Sequence, residues 1–226
     1  SEVYKALKKY AEDDEKMARL YGDRKLYKPS LLNKVINNPE MTDFILGYNN
    51  APDAVTGGLT DEEINKDFPL LLQWDKRWAY KKYGDSNIGL AGCGPTCLSM
   101  VIFSLTRDEN ATPDVIAEYS ENNGHYVDGI GTAWALMTDV PEQYGVSSKE
   151  ISISEETFKS ELDEEKMLIC GVGPGDFTTG GHFIVIYGYD EEGFLVNDPY
   201  CMARSQKKWS YERLSGQLKV AWSYDY

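Results

Sequence analysis

The hydrophobic pattern of the chain changes period once, and this change constrains the fold more than any other feature. Up to about residue 162, apolar residues recur at helical spacing. After that point, short runs rich in Ile, Val, Phe and Tyr take over. These runs are 167–172, 182–189 and 194–197. Helices followed by strands, without alternation, indicate an α+β domain rather than a doubly wound parallel sheet.

The last two runs are joined by the turn 190–193, which predicts an antiparallel hairpin. In a hairpin, the start of the first strand and the end of the second lie at the same end of the ladder. His182 and Asp198 hold these two positions, so we expect their side chains to be neighbours. Such a carboxylate can fix one imidazole nitrogen and leave the other facing a third group. Taken alone, Asp198 is explained as a cap of the turn before Pro199.

Cys93 has the local setting of a cysteine nucleophile. It stands between two glycines at the predicted start of an apolar helix that runs to Leu105. The dipole and the free N–H groups of a helix N-terminus favour a thiolate, and the glycines let a substrate backbone approach closely. Cys97 and Cys170 fall inside apolar segments, where free cysteines are small buried hydrophobes, and Cys201 follows the second hairpin strand.

Two other polar residues bear on catalysis. Gln73 precedes the Cys93 helix, and its amide can donate to an oxyanion together with the backbone N–H of Cys93. By composition alone, Gln73 is a surface glutamine. His125 lies in a polar loop after a helix, where a histidine is expected to be solvated or to line a groove.

The chain is predicted to divide into residues 1–68, a helical N-terminal extension and linker, and residues 69–226, the main domain. Two or three short helices are expected before residue 48. Residues 51–67 carry Pro52, two glycines and an acidic cluster, which is typical of a linker; a lid over a groove is the alternative. Four further helices are predicted, near Cys93, at 113–119, at 132–144 and after the cap Ser154.

The net charge and the composition of the chain exclude several classes of function. The chain has 23 Lys and Arg against 37 Asp and Glu, a net charge of −14, so it repels nucleic acid and anionic lipid. No apolar run approaches the roughly 20 residues of a membrane span. With only two histidines, the chain has too few imidazole ligands for a typical histidine-based zinc site. Residues 1–68 hold 10 basic and 13 acidic side chains, so most of the negative charge lies in residues 69–226, which favours basic or neutral ligands over acidic ones.

Together, four motifs resemble those of a known family. They are Gln73-Trp74-Asp75 with Trp78, then Gly92-Cys93-Gly94-Pro95-Thr96, then Gly181-His182-Phe183-Ile184-Val185 with Gly188-Tyr189, then Asn197-Asp198-Pro199. The family is that of papain-like cysteine peptidases related to the bacteriocin-leader-processing, or double-glycine, peptidases. The resemblance covers roughly residues 70–226 and implies a papain-like fold, in which the helix with the nucleophile packs against an antiparallel sheet with the base. It implies Cys93 as nucleophile, His182 as base, Asp198 as orienter and Gln73 as oxyanion donor.

We therefore expect a stand-alone bacterial thiol hydrolase that cleaves peptide bonds through a thioester and needs neither a metal nor an organic cofactor. Its partner is a peptide or protein substrate, and the loops 126–134 and 173–181 are expected to line its cleft. No Gly-x-x-x-x-Gly-Lys-Ser/Thr motif is present, so an exporter-coupled function is not implied. The alternatives are a non-catalytic module that binds peptides or cell-wall fragments, and acyl transfer to an amine.

The sequence begins with Ser1 rather than Met. From this we expect the native N-terminus, with a signal or an anchor, to be missing from the sequence. The protein is accordingly expected to be secreted or held at the bacterial cell surface.

Overall fold

The computed structural model describes residues 1–226, which form two compact units, Ser1–Asp53 and Ala54–Tyr226. The smaller unit is helical. Its α-helices are α1 (Glu2–Ala11), α2 (Glu15–Gly22), α3 (Pro29–Asn37) and α4 (Thr42–Leu46), with 3₁₀ turns at Arg24–Leu26, Pro39–Met41 and Tyr48–Asn50. Two or three helices were expected, and four form. The extra helix arises because the Asp14 side chain accepts from the backbone N–H groups of Lys16 and Met17 and so begins a new helix inside the first apolar stripe.

Residues 54–68, which the sequence analysis placed in the linker, belong to the larger unit. Within this segment α5 (Asp61–Ile64) begins with a capping box between Thr60 and Glu63. The Arg77 guanidinium binds both carboxylate oxygens of Glu63, at 2.7 and 2.9 Å. These charge-assisted bonds fix the segment, so it is not a free linker.

The larger unit contains a six-stranded antiparallel sheet and two short hairpins. Its further helices are α6 (Ile88–Ala91), α7 (Cys93–Thr106), α8 (Pro113–Asn122), α9 (Leu136–Gln143), α10 (Glu155–Asp163), α11 (Met202–Ser205) and α12 (Tyr211–Ser215). Its strands are β1 (Lys82–Tyr83), β2 (Ser86–Asn87), β3 (Tyr126–Val127), β4 (Gly131–Thr132), β5 (Ser147–Glu150), β6 (Met167–Val172), β7 (His182–Asp190), β8 (Gly193–Asn197), β9 (Lys208–Trp209) and β10 (Leu218–Asp225). The sheet order is β5-β10-β6-β7-β8-β9, while β1-β2 and β3-β4 pair separately.

Helices cover both faces of the sheet. Helix α7 is buried along residues 94–103, as expected of a helix that is apolar on all sides, and it packs on one face. Phe158 of α10 and Leu214 of α12 lie against the other face. Strand β6 therefore supplies side chains to two cores, which explains its unbroken apolar run. The predicted α+β fold, with the Cys93 helix packed on an antiparallel sheet, is present.

One predicted helix is shorter than expected. The helix expected at 132–144 is α9, which begins at Leu136, because Gly131 and Thr132 form the strand β4. Gly131 has φ of 119°, a conformation open mainly to glycine, and the backbone turns there before the helix begins. No helix of the chain combines the length and the apolar character needed to cross a bilayer.

Candidate active site

Cys93 is the first residue of α7 and follows a tight turn between α6 and α7. A Cβ atom on Gly92 would lie 2.5 Å from the carbonyl oxygen of Ile88, so only glycine fits between α6 and α7. All four cysteines are free, and only Cys93 is partly exposed. Burial raises the pKa of the Cys97 and Cys170 thiols, which keeps both protonated at neutral pH. Cys93 is thus the accessible thiol.

The hairpin places His182 beside Asp198, as its geometry predicts. His182 Nε2 lies 2.7 Å from Asp198 Oδ1, and the backbone N–H of Tyr200 donates to the same oxygen at 2.8 Å. Arg204 Nε donates to Asp198 Oδ2 at 2.7 Å. Both oxygens of this fully buried carboxylate are therefore occupied, which fixes its plane and the ring that it holds.

His182 and Asp198 shift each other's pKa. Burial disfavours the imidazolium, but the Asp198 carboxylate and a hydrogen bond with Cys93 raise the pKa of His182 to about 10. Burial likewise disfavours the Asp198 carboxylate, but the charges of His182 and Arg204 outweigh it and lower the pKa of Asp198. At neutral pH, His182 is therefore protonated and Asp198 ionised. Since Asp198 takes Nε2, the Nδ1 atom of His182 is left for Cys93.

Gln73 is 1% exposed, so the expectation of a surface glutamine is wrong. Its Nε2 donates to the carbonyl oxygen of Gly89 at 3.1 Å, and its backbone N–H donates to Pro199 at 2.8 Å. Gly89 stands four residues before Cys93, and Pro199 follows Asp198, so Gln73 links the two segments that carry these residues. It does not line the cleft, and its Oε1 atom has no hydrogen-bond partner.

A cleft of about 490 Å³ opens at Cys93 and His182. Both expected loops form its walls. The first contributes Ile130, Gly131, Thr132 and Trp134, and the second contributes Gly173, Pro174, Gly180 and Gly181. Ile130 and Trp134 are 84% and 53% exposed, so the mouth of the cleft presents apolar side chains to solvent. Surfaces of this kind are typical of ligand-binding sites. No residue of 54–68 lines the cleft, which does not support a lid role for that segment.

His125 lies outside the cleft wall and is half-buried, so it is neither solvated nor groove-lining as expected. Its Nε2 is 2.6 Å from Asp139 Oδ2, and the Tyr119 hydroxyl donates to Asp139 Oδ1 at 2.9 Å. His125 therefore has a structural partner of its own. No group of three or more His, Cys, Asp or Glu side chains is placed to hold a metal ion.

Two charged residues of this region, Arg204 and Lys219, carry no signal in the sequence. Arg204, which holds Asp198, lies on α11, and no spacing pattern links a buried carboxylate to a cation six residues later. Lys219 lines the cleft from β10. In the sequence it is an ordinary lysine beside an apolar run, and only the pairing of β10 with β6 brings it to the cleft.

Comparisons with known proteins identify a family and similar folds. The model of the Peptidase_C39 like family matches residues 65–225. The peptidase domain of Streptococcus ComA, a bi-functional ABC transporter involved in a quorum sensing pathway, is 19% identical, with 70% of this chain and 97% of that chain covered and a TM-score of 0.51. The peptidase domain of Streptococcus mutans ComA is 17% identical, with 70% and 98% covered and a TM-score of 0.43. Among curated proteins, none matches the chain. The likeness to the first domain confirms the expected papain-like fold.

Proposed function

The chain belongs to the Peptidase_C39 like family, and from this membership we propose that it is a cysteine peptidase that hydrolyses peptide bonds through a thioester. The observation that carries the proposal is the linked set of side chains at the cleft. Cys93 and His182 line the same cleft, and His182 Nε2 lies 2.7 Å from the buried carboxylate of Asp198. A nucleophile, a base and a group that orients the base are what covalent amide hydrolysis needs.

In the proposed reaction, the Cys93 thiolate attacks the carbonyl carbon of the scissile bond while His182 carries the proton. His182 gives that proton to the leaving amine as the C–N bond breaks, which leaves a thioester on Cys93. Water then attacks the thioester and passes a proton to His182, the C–S bond breaks, and the thiolate and imidazolium are restored. Asp198 is a positioning residue, because it holds His182 through Nε2 and keeps it protonated.

The oxyanion is proposed to accept from the backbone N–H of Cys93 and from the side-chain amide of Gln73. Helix N-termini leave such backbone N–H groups without intrahelical partners. Gln73→Met keeps the length of the side chain but removes its N–H groups. We expect kcat to fall about 10²- to 10³-fold, as for the loss of one oxyanion donor, with KM little changed. Steady-state kinetics of the variant, with its melting temperature as a fold check, measure this. A folded variant with kcat within a few-fold of wild type would remove Gln73 from the proposal.

Digestion of a peptide library tests the proposed function. We expect the wild type to cleave a defined set of bonds and Cys93→Ala to cleave none. Cys97→Ala is the matched control, because it removes a buried thiol from the same helix, and it should cleave the same bonds. Cleavage by Cys93→Ala would contradict the assignment. Peptide capture by Cys93→Ala without any turnover by the wild type would instead establish a binding module.

The fate of the thioester is tested in the same digest. Hydrolysis in water labelled with heavy oxygen should place the label in the new carboxyl group of the acyl product. Products joined to an added amine, with no label, would show acyl transfer in place of hydrolysis.

A further inference from the structure

The cleft wall differs in charge from the rest of the protein. The chain carries a net charge of −14, yet no Asp or Glu lines the cleft. Apart from Cys93 and His182, Lys219 is the only ionisable side chain in the wall. Because Coulomb interactions weaken with distance and salt screens charges more than about 10 Å apart, Lys219 acts on a ligand in the cleft more strongly than the distant surface carboxylates do.

Lys219 is directed to the cleft by a β-bulge in β10. Leu218 pairs with Val172 and Val220 with Gly171, so Lys219 is an extra residue without a partner on β6. In a regular strand, residues two apart point to the same face. Here Leu218 is buried in one core and Val220 in the other, which requires the inserted residue. The bulge frees Lys219 from both cores and re-aims its side chain.

Gly173 makes room for the lysine. A Cβ atom on Gly173 would lie 2.5 Å from Lys219 Cε, so the lysine stem lies against the bare backbone of the cleft loop. The backbone N–H of Gly173 donates to Gln217 at 2.8 Å, which holds the loop beside β10. Lys149 and Lys208, in the same sheet, pair with Glu161 and Asp190. Lys219 makes no ion pair with the chain's own carboxylates, and its ammonium is exposed at the cleft.

We propose that Lys219 is a specificity-determining residue that binds a carboxylate of the peptide substrate. The inference rests on the proposed function, because it assigns a subsite of the same cleft. Leu218 pairs with Val172, and Val172 pairs with His182, so Lys219 stands about two strand spacings from His182. Two spacings are roughly 10 Å, which an extended peptide crosses in about three residues. The carboxylate is thus an acidic side chain or a free C-terminus about three residues from the scissile bond.

The inference reverses the expectation drawn from net charge, which favoured basic or neutral peptides. The role of Lys219 is tested with peptides that the wild type cleaves in the library digest. If none is cleaved, the uncleaved peptides of the library are used. Glu, Gln and Lys are placed in turn at each position up to four residues on either side of the bond, and each peptide is made with a free and an amidated C-terminus. Binding to Cys93→Ala is measured by fluorescence anisotropy, so no turnover is needed.

We expect Glu at one position to tighten binding about five- to tenfold over Gln at that position. Alternatively, a free C-terminus tightens binding by the same factor over the amidated form at one peptide length. The position distinguishes an acidic side chain from a terminal carboxylate. Adding Lys219→Met should abolish the difference, Lys219→Glu should turn it into a preference for Lys, and high salt should reduce it. Lys207→Met removes the same charge outside the cleft and should leave the difference unchanged.

Equal binding of acidic and neutral peptides, or a preference that survives Lys219→Met, would overturn the inference, as would the absence of binding by any peptide. A failure of the Cys93 chemistry would abolish cleavage by the wild type but leave the binding preference of Cys93→Ala in place. The two failures are therefore distinguishable.

Discussion

His182→Ala is expected to lower kcat/KM by about 10⁴- to 10⁶-fold, the range found when the base of a nucleophile–base pair is removed. The imidazole supplies both the proton for the leaving amine and the positive charge beside the Cys93 thiolate. Its loss therefore affects acylation and deacylation alike. The measurement is the steady-state rate on a peptide from the library digest.

His125→Ala is the matched control, because it removes the only other histidine of the chain, and His125 lies outside the cleft wall. We expect its kcat/KM to stay within a few-fold of wild type. Retention of a tenth or more of the activity by a folded His182→Ala variant would contradict the assignment. So would an equal loss in the two histidine variants.

Asp198→Asn is expected to lower kcat/KM on the order of 10⁴-fold, because the amide cannot stabilise the imidazolium that Asp198 now orients. The pH profile separates this role from a merely structural one. The carboxylate and Cys93 raise the pKa of His182 to about 10, so the alkaline limb of kcat/KM in the wild type should lie near pH 10. Without the carboxylate, the limb should move towards the ordinary histidine value of about 6.5.

Asp190→Asn is the control for this change, because Asp190 lies at the turn end of the same hairpin and pairs with Lys208 at the surface. Its rate and its alkaline limb should match those of the wild type. An Asp198→Asn variant with reduced activity but an unmoved alkaline limb would show that Asp198 does not control the protonation of His182.

The same pKa change makes the stability of the larger unit depend on pH. Because folding raises the pKa of His182 above 6.5, the protonated ring stabilises the fold fully below about pH 6.5. This contribution is lost as the pH rises towards 10. Urea unfolding should therefore show a fall in the free energy of unfolding of the wild type across this window. Asp198→Asn should show a smaller fall.

The local parts of the site were predictable from the sequence. A hairpin with a tight turn brings the start of its first strand to the end of its second, so the meeting of His182 and Asp198 follows from the strand pattern. The start of a helix at Cys93 follows from its glycines, from Pro95 in the first turn and from the apolar run behind it. These features depend on neighbours within about twenty residues, where periodicity and turn chemistry are informative.

The remaining parts depend on long-range pairing. Strand β10 lies between β5 and β6, and no local pattern predicts that insertion or the bulge that directs Lys219. Gln73 is buried, and its backbone N–H bonds to Pro199, more than a hundred residues away. The 54–68 segment is held by Arg77, although its composition is that of a linker. The composition of this segment is compatible with a flexible linker, but the bidentate pair that Arg77 forms with Glu63 fixes its position.

The activated thiol itself can be tested before any substrate is known. The wild type and His182→Ala are treated with iodoacetamide near neutral pH, and the labelled cysteines are identified by peptide mass mapping over time. The proposed site predicts fast, selective labelling of Cys93, lost in His182→Ala, with Cys97, Cys170 and Cys201 unlabelled in the folded protein. Labelling of Cys93 no faster than that of a free thiol, or at the same rate in both proteins, would contradict it.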